Sequence, residues 1–203
     1  MRILCYGDSN TWGFRPVVGG RYEKNERWTG RLQALTGYEI IEEGLCGRTT
    51  AFPDCSIPYR SGLEYAAPCV ISHLPLDLVI IMLGTNDAKR RYHVKAPDIA
   101  EALGEVIRQM RWFSGREGLE PDILIVSPPA TAIGDNDWGF DEDANEVIRQ
   151  LEKAYEKLAG EMECEFLRAS DYVDEVGEDG VHLTARGHEQ LAKGLAEYLR
   201  KRK

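Results

Sequence analysis

The sequence has few of the features that mark membrane, secreted or nucleic-acid-binding proteins. No apolar run approaches the roughly 18 residues that a transmembrane helix needs. Too few apolar residues follow Arg2 to form the core of a signal peptide. Lys and Arg number 25 against 34 Asp and Glu, whereas phosphate-binding surfaces need concentrated cations. We therefore expect a cytoplasmic protein with no nucleic-acid partner and no membrane partner.

Cysteine and histidine are also sparse. The five cysteines are an odd number without CxxC or finger-like spacing, so we expect reduced thiols packed as small hydrophobic groups. Cys46 has no base at an identifiable spacing, which argues against a thiol nucleophile. His73, His93 and His188 do not group with carboxylates or cysteines at ligand spacing along the sequence. We therefore expect no catalytic metal and no cofactor.

Short apolar runs alternate with amphipathic segments along the whole chain. The predicted strands are Arg2–Tyr6, Tyr38–Glu42, Asp77–Leu83, Asp122–Ser127 and Cys164–Leu167. The predicted helices are Arg27–Thr36, Gly62–His73, Pro97–Arg116, Glu142–Met162 and Thr184–Arg202, with Thr184 as an N-cap. Because parallel strands need crossover connections, this alternation predicts a five-stranded parallel, flavodoxin-like sheet in a three-layer α/β/α sandwich. Residues 1–203 are expected to form one domain.

Polar segments follow four of the predicted strands, where α/β folds assemble their sites. They are GDSN at 7–10, EGLCGRTT at 43–50, GTND at 84–87 and EDGVHLT at 178–184. Each has a plain structural interpretation by itself. Ser9 is a plausible helix N-cap, the glycine-rich segment and Asn86 suit turns, and Asp179 with His182 suits a capping pair. Together they favour a site in which a carboxylate orients an imidazole toward a serine hydroxyl.

These four segments resemble the conserved blocks of the SGNH hydrolases, also called GDSL esterases. The resemblance implies that Ser9 is the nucleophile, with Asp179 and His182 completing a triad. It also implies an oxyanion hole formed by the backbone N–H groups of Ser9 and Gly47 and the side-chain amide of Asn86. The segments ILCYGDSNTWGF, RWTG, EEGLCGRTT and HLPLDLVIIMLGTNDAK resemble the bacterial arylesterase/acyltransferase branch more closely.

One departure from the family pattern lies in the first block. Asn10 stands where the family's name has leucine, and because this position varies we expect no effect on the mechanism. Asp8 and Asp87 flank the predicted site residues. We expect their side chains to hold loops through hydrogen bonds to the backbone.

Several apolar side chains near the strand ends are candidates for substrate contact. We predict Trp12, Leu45, Trp138 and Val181 as substrate-binding residues, and the same loops also contain Phe14, Phe52 and Phe140. Residues 129–141 form a long connection that suits a lid or an oligomer contact, and we carry a homo-oligomer as a hypothesis.

The resemblance predicts a small-molecule ester as substrate, with hydrolysis or acyl transfer as the reaction. A carbohydrate acetylesterase, a thioesterase or a lysophospholipase would use the same triad. A flavodoxin-like small-molecule binder is the non-enzymatic alternative, although no GxGxxG segment or Walker lysine is present. The absence of a GxSxG elbow argues against an α/β-hydrolase.

Overall fold

The five strands form one parallel sheet. The computed structural model describes residues 1–134, 138–141 and 143–202. The strands are β1 (Arg2–Gly7), β2 (Glu39–Gly44), β3 (Leu78–Met82), β4 (Asp122–Ser127) and β5 (Glu165–Arg168). Their order in the sheet is β2-β1-β3-β4-β5, and every neighbouring pair is parallel. This is the predicted flavodoxin-like order, and it confirms the predicted fold class.

Helices cover both faces of the sheet. In the described residues they are α1 (Ser9–Trp12), α2 (Trp28–Thr36), α3 (Gly62–His73), α4 (Ala96–Arg116), α5 (Ala144–Glu161) and α6 (Ala185–Lys201). Side chains of α3, α4 and α5 pack with one face, and side chains of α2 and α6 pack with the other. The chain is thus a single α/β domain with three layers.

The central strand β3 shows why its sequence is apolar without interruption. Val79 and Ile81 point into the core under α3, α4 and α5, whereas Leu78 and Ile80 point into the core under α2 and α6. Successive side chains of a strand face opposite sides, so a strand covered on both faces needs apolar residues at every position.

Each predicted helix and strand is present, with boundaries within two residues of the prediction. Glu142, the predicted first residue of the fifth helix, lies outside the described residues, and α5 begins at Ala144. Thr184 caps α6 as predicted, because its Oγ1 accepts a hydrogen bond of 3.0 Å from the Gly187 N–H. The short helix α1 was not predicted, since four residues are too few to show a helical period.

The cysteines agree with the expectation of free thiols. Cys5 and Cys69 are buried, Cys46 and Cys164 are half-buried, and Cys55 is exposed, all without disulfide bonds. Among the described residues, no helix combines the length and apolar character needed to cross a lipid bilayer.

Candidate active site

Ser9 lies at the junction between β1 and α1. Asp8 is the N-cap of α1, and its carboxylate accepts a hydrogen bond of 2.9 Å from the Asn10 N–H. Ser9 is therefore the first helical residue, and its interpretation as an N-cap is wrong. A Cβ atom at Gly7 would lie 2.0 Å from Thr11 Oγ1, so the tight turn requires glycine. This turn presents a serine that is 6% exposed at the carboxyl end of the sheet.

The loop before α6 brings His182 to this serine. His182 Nε2 lies 3.0 Å from Ser9 Oγ, and His182 Nδ1 lies 2.8 Å from Asp179 Oδ2. The other carboxylate oxygen, Oδ1, accepts hydrogen bonds of 3.0 Å from the N–H groups of Val181 and His182. Asp179 therefore holds both the imidazole ring and the backbone that carries it.

The environment of Asp179 keeps its carboxylate charged. Burial by itself would raise its pKa, but hydrogen bonds from the His182 ring and from the backbone N–H groups of His182 and Val181 lower that pKa below its ordinary value. An ionised carboxylate only accepts hydrogen bonds, so the Nδ1 of His182 is the donor to Asp179. Nε2 then keeps its lone pair directed at the Ser9 hydroxyl, which is the arrangement a general base requires.

Hydrogen-bond donors surround the serine at neighbouring strand ends. Among the described residues, the N–H groups of Ser9 and Gly47 have no hydrogen-bond partner. Gly47 has a φ of +79°, a region that favours glycine. Asn86 Nδ2 donates a hydrogen bond of 3.1 Å to the carbonyl of Arg48, the residue after Gly47. The three predicted oxyanion donors therefore belong to segments that contact one another.

Buried polar contacts hold these segments in place. The Arg48 guanidinium donates to the carbonyls of Gly7 and Glu43, which connects the glycine-rich loop to the end of β1. Asp87 accepts hydrogen bonds from the Thr50 N–H at 2.9 Å and 3.1 Å, and from its hydroxyl. As expected, Asp8 and Asp87 hold loops through their side chains. Burial raises the pKa of Asp87 to about 6.

Asn10 has a role that the sequence did not reveal. Its Oδ1 accepts a hydrogen bond of 2.9 Å from the Leu183 N–H, and its Nδ2 donates one of 3.3 Å to the Val181 carbonyl. The Asn10 side chain thus binds the backbone on both sides of His182. The expectation that this position has no effect on the mechanism stays untested, although the Asn10 side chain contacts the loop that carries His182. No local signal shows it, because 173 residues separate Asn10 from Leu183.

Two aromatic rings pack against the His182 imidazole. The Phe14 ring lies 4.4 Å from it between centroids, and the Trp138 ring lies 5.7 Å away in an edge-to-face arrangement. Phe14 and Trp138 also contact each other at 5.7 Å. Trp138, a predicted substrate-binding residue, is therefore at the site, and Phe14 joins it there.

The other predicted substrate-binding residues lie in different surroundings. The Arg21 guanidinium lies over the Trp12 ring, with its central carbon 5.2 Å from the ring centroid. Leu45 is half-buried, and its N–H bonds the Gly7 carbonyl at 3.1 Å. The Val181 side chain is 3% exposed and packs in an apolar cluster with Phe140. Substrate contact by these three residues stays a prediction.

The structure also places Cys46, the histidines other than His182 and the segment 129–141. Burial raises the pKa of Cys46 to about 11, so its thiol is protonated at neutral pH and is a poor nucleophile. His188 is fully buried, and His93 is exposed. The interpretation of His73 as isolated from possible ligands is wrong, because it lies beside Glu43 and Cys69 in space.

Within the segment 129–141, residues 135–137 lie outside the described residues, so its predicted lid or oligomer contact stays a prediction.

Proteins with related sequences and structures include several esterases. The sequence pattern described as the GDSL-like lipase/acylhydrolase family matches residues 5–190. A solved carbohydrate acetylesterase from Sinorhizobium meliloti is 39% identical, with a TM-score of 0.93 over 98% of this chain and 99% of that chain. The native aryl esterase of M. smegmatis is also 39% identical, with a TM-score of 0.92 over 98% of each chain. An acetylxylan esterase of Xylanibacter ruminicola is 24% identical over 97% of this chain, which spans 42% of that protein's length.

Proposed function

The chain belongs to the GDSL-like lipase/acylhydrolase family, and from this premise we propose that it is a serine esterase with Ser9 as its nucleophile. The observation that carries the proposal is the continuous hydrogen-bonded series Ser9–His182–Asp179. Its two contacts of 3.0 Å and 2.8 Å orient one imidazole between a hydroxyl and a carboxylate. A small-molecule binder has no need of this arrangement.

The proposed reaction proceeds in two steps. Ser9 Oγ attacks the ester carbonyl while His182 Nε2 takes the hydroxyl proton, and Asp179 stabilises the imidazolium that results. His182 then gives the proton to the departing alkoxide, which leaves as an alcohol. In the second step, water gives a proton to His182 and attacks the acyl carbonyl on Ser9. The bond between the acyl carbon and Ser9 Oγ then breaks, His182 returns the proton to Ser9 Oγ, and a carboxylic acid leaves. An alcohol in place of water would give acyl transfer.

The tetrahedral intermediate of each step carries a negative oxygen. We propose that the N–H groups of Ser9 and Gly47 and the amide of Asn86 stabilise this oxygen. The absence of protein partners for both N–H groups among the described residues supports this role. Loss of one such donor typically raises the barrier by about 2.7–4 kcal/mol.

We propose small acyl esters as substrates. The Phe14 and Trp138 rings pack against His182 and offer an apolar surface beside the proposed general base. Acetyl groups on carbohydrates are the second candidate, supported by the carbohydrate acetylesterase with which this chain shares 39% identity. The expectations of a homo-oligomer and a cytoplasmic location stay predictions.

A fluorophosphonate probe tests the nucleophile directly. We expect the probe to label the purified protein, and the label to be absent in Ser9→Ala but present in Ser56→Ala, which changes an exposed serine. Asp179→Asn should lower kcat by about 10⁴-fold, because the imidazole would lose its orienting acceptor. Labelling that persists in Ser9→Ala would contradict the proposal, and a protein that neither labels nor hydrolyses esters would favour the small-molecule binder.

Substrate class requires a panel. We expect p-nitrophenyl acetate to be hydrolysed faster than p-nitrophenyl octanoate. Acetylated xylo-oligosaccharides and acyl thioesters are then compared with p-nitrophenyl acetate as substrates. Turnover of the oligosaccharides at a higher kcat/KM than the aryl acetate would identify a carbohydrate acetylesterase. Turnover of thioesters alone would exclude both the aryl ester and the carbohydrate substrates.

A further inference from the structure

Three different metal-binding side chains meet between α3 and β2. The Glu43 carboxylate, the Cys69 thiol and the His73 imidazole each offer one ligand atom, and these atoms lie within 4.8 Å of one another. His73 Nε2 already contacts Glu43 Oε1 at 2.9 Å. None of the three belongs to the proposed esterase machinery. We propose that this cluster is a Zn²⁺ site.

The local structure explains why these side chains converge. Cys69 and His73 are four residues apart on α3, so they lie one above the other on the same face of the helix. Neighbouring residues of β2 face opposite sides of the sheet. Glu42 therefore faces Arg27 near α2, and Glu43 faces α3.

The donor set suits zinc better than the hard cations. Zn²⁺ binds cysteine sulfur at about 2.3 Å, histidine nitrogen at about 2.0–2.1 Å and carboxylate oxygen at about 2.0–2.2 Å. Around one tetrahedral ion such ligands lie about 3.4–3.6 Å apart. Zinc binding therefore requires the Glu43–His73 contact of 2.9 Å to widen slightly and Cys69 Sγ to approach, through rotation of the three side chains.

Exposure differs among the ligands in a way that leaves a place for water. Cys69 is fully buried, whereas the side chains of His73 and Glu43 are 25% and 21% exposed. Water therefore reaches the outer side of the cluster and supplies the fourth ligand. Cys69 packs in the apolar core under α3, and its thiol lies at the edge of that core, beside the Glu43 and His73 side chains.

Two features oppose metal binding. The Arg48 guanidinium lies over the Tyr6 and Tyr65 rings near the cluster, and its positive charge repels a cation. A hydrogen bond to the Glu43 carbonyl holds Arg48 in this position. The ion must further displace the thiol proton, which leaves to solvent, and His73 must carry its proton on Nδ1. Bound zinc would then connect α3 to the end of β2, where the glycine-rich loop begins.

Zinc titration of the metal-free, full-length protein tests the site. We expect one Zn²⁺ per chain by isothermal titration calorimetry and a rise in the unfolding temperature. Co²⁺ should give a thiolate-to-metal charge-transfer band, because only a cysteine ligand produces one. Cys69→Ala, His73→Gln and Glu43→Gln should each weaken zinc affinity by more than about 100-fold, since even outer-shell partners of a metal are worth about 10–100-fold.

Matched controls separate this site from other zinc ligands. Cys164→Ala and His93→Gln change a half-buried cysteine and an exposed histidine elsewhere, and both should keep full affinity. Affinity unchanged in His73→Gln, or binding that is lost in His182→Gln instead, would overturn the proposal. If Cys69→Ala does not fold, the partly exposed His73 decides the result. The readouts do not use esterase activity, so failure here leaves the proposed function untouched.

Discussion

Replacement of Asn10 by leucine is the sharpest test of how the site is held together. Leucine is close to asparagine in size, and Asn10 is only 2% exposed, so Asn10→Leu removes two hydrogen bonds while roughly conserving the volume. The Leu183 N–H loses its acceptor at 2.9 Å, and the Val181 carbonyl loses its donor at 3.3 Å. Both backbone groups belong to residues at most 3% exposed, so water does not readily replace the lost partners.

The size of the effect follows from these two groups. A buried polar group left without a partner costs about 1–3 kcal/mol, so the two together cost about 2–6 kcal/mol of unfolding free energy. The lower half of that range is expected, because the 3.3 Å bond is long. His182 lies between the two released groups. A displacement of about 1 Å at a reacting group can cost about 100-fold in rate, and we expect a fall of that order in kcat with little change in KM.

The assay combines p-nitrophenyl acetate kinetics with urea unfolding. Ser114→Ala is the control, since it removes a buried hydroxyl that bonds the Met110 carbonyl at 2.8 Å in α4, away from His182. It should lower stability by about 1 kcal/mol and leave kcat unchanged. Wild-type kcat in Asn10→Leu, measured well below its unfolding temperature, would refute the reasoning even if the stability falls.

Other predictions concern three further side chains. Burial and the nearby Arg residues lower the pKa of His188 to about 3, so below about pH 6.5 the unfolded chain binds a proton that the folded protein does not. The free energy of unfolding should therefore fall by about 1.6 kcal/mol between pH 6.5 and 5, and by less in His188→Gln, as measured by urea unfolding at both pH values. Phe14→Ala should lower kcat/KM for p-nitrophenyl acetate about 2–10-fold, because its ring lies 4.4 Å from the His182 ring. Cys46→Ala should keep kcat/KM within about twofold, because its thiol is protonated at neutral pH.

Each of these predictions has a control and a contrary outcome. His93→Gln changes an exposed histidine and should keep the wild-type pH dependence, while an equally steep decline in His188→Gln would exclude His188 as its source. Phe166→Ala removes a half-buried ring packed under α4 and α5 and should leave kcat/KM unchanged where Phe14→Ala lowers it. A loss of activity in Cys46→Ala as complete as in Ser9→Ala would indicate a thiol nucleophile.

The sequence alone determined the order and type of the main elements. β3 is apolar at every position, and Leu191, Leu195 and Leu199 repeat at helical spacing along α6. Both patterns are local, and the fold buries the same side chains that define them. Strand ends could then be located to within two residues. Since parallel strands end at one edge of the sheet, the convergence of Ser9, Asn86 and His182 followed from topology.

Tertiary structure decided which side chains touch. Asn10 binds the backbone around residue 182, and Phe14 packs on the His182 ring, although more than 160 residues separate each pair along the chain. His73 meets Glu43 from across the α3–β2 contact, 30 residues apart. Periodicity and local motifs carry no information about such distances. These distances depend on the path of the loops, the side-chain rotamers and the packing of the helices, which are fixed only when the complete core has formed.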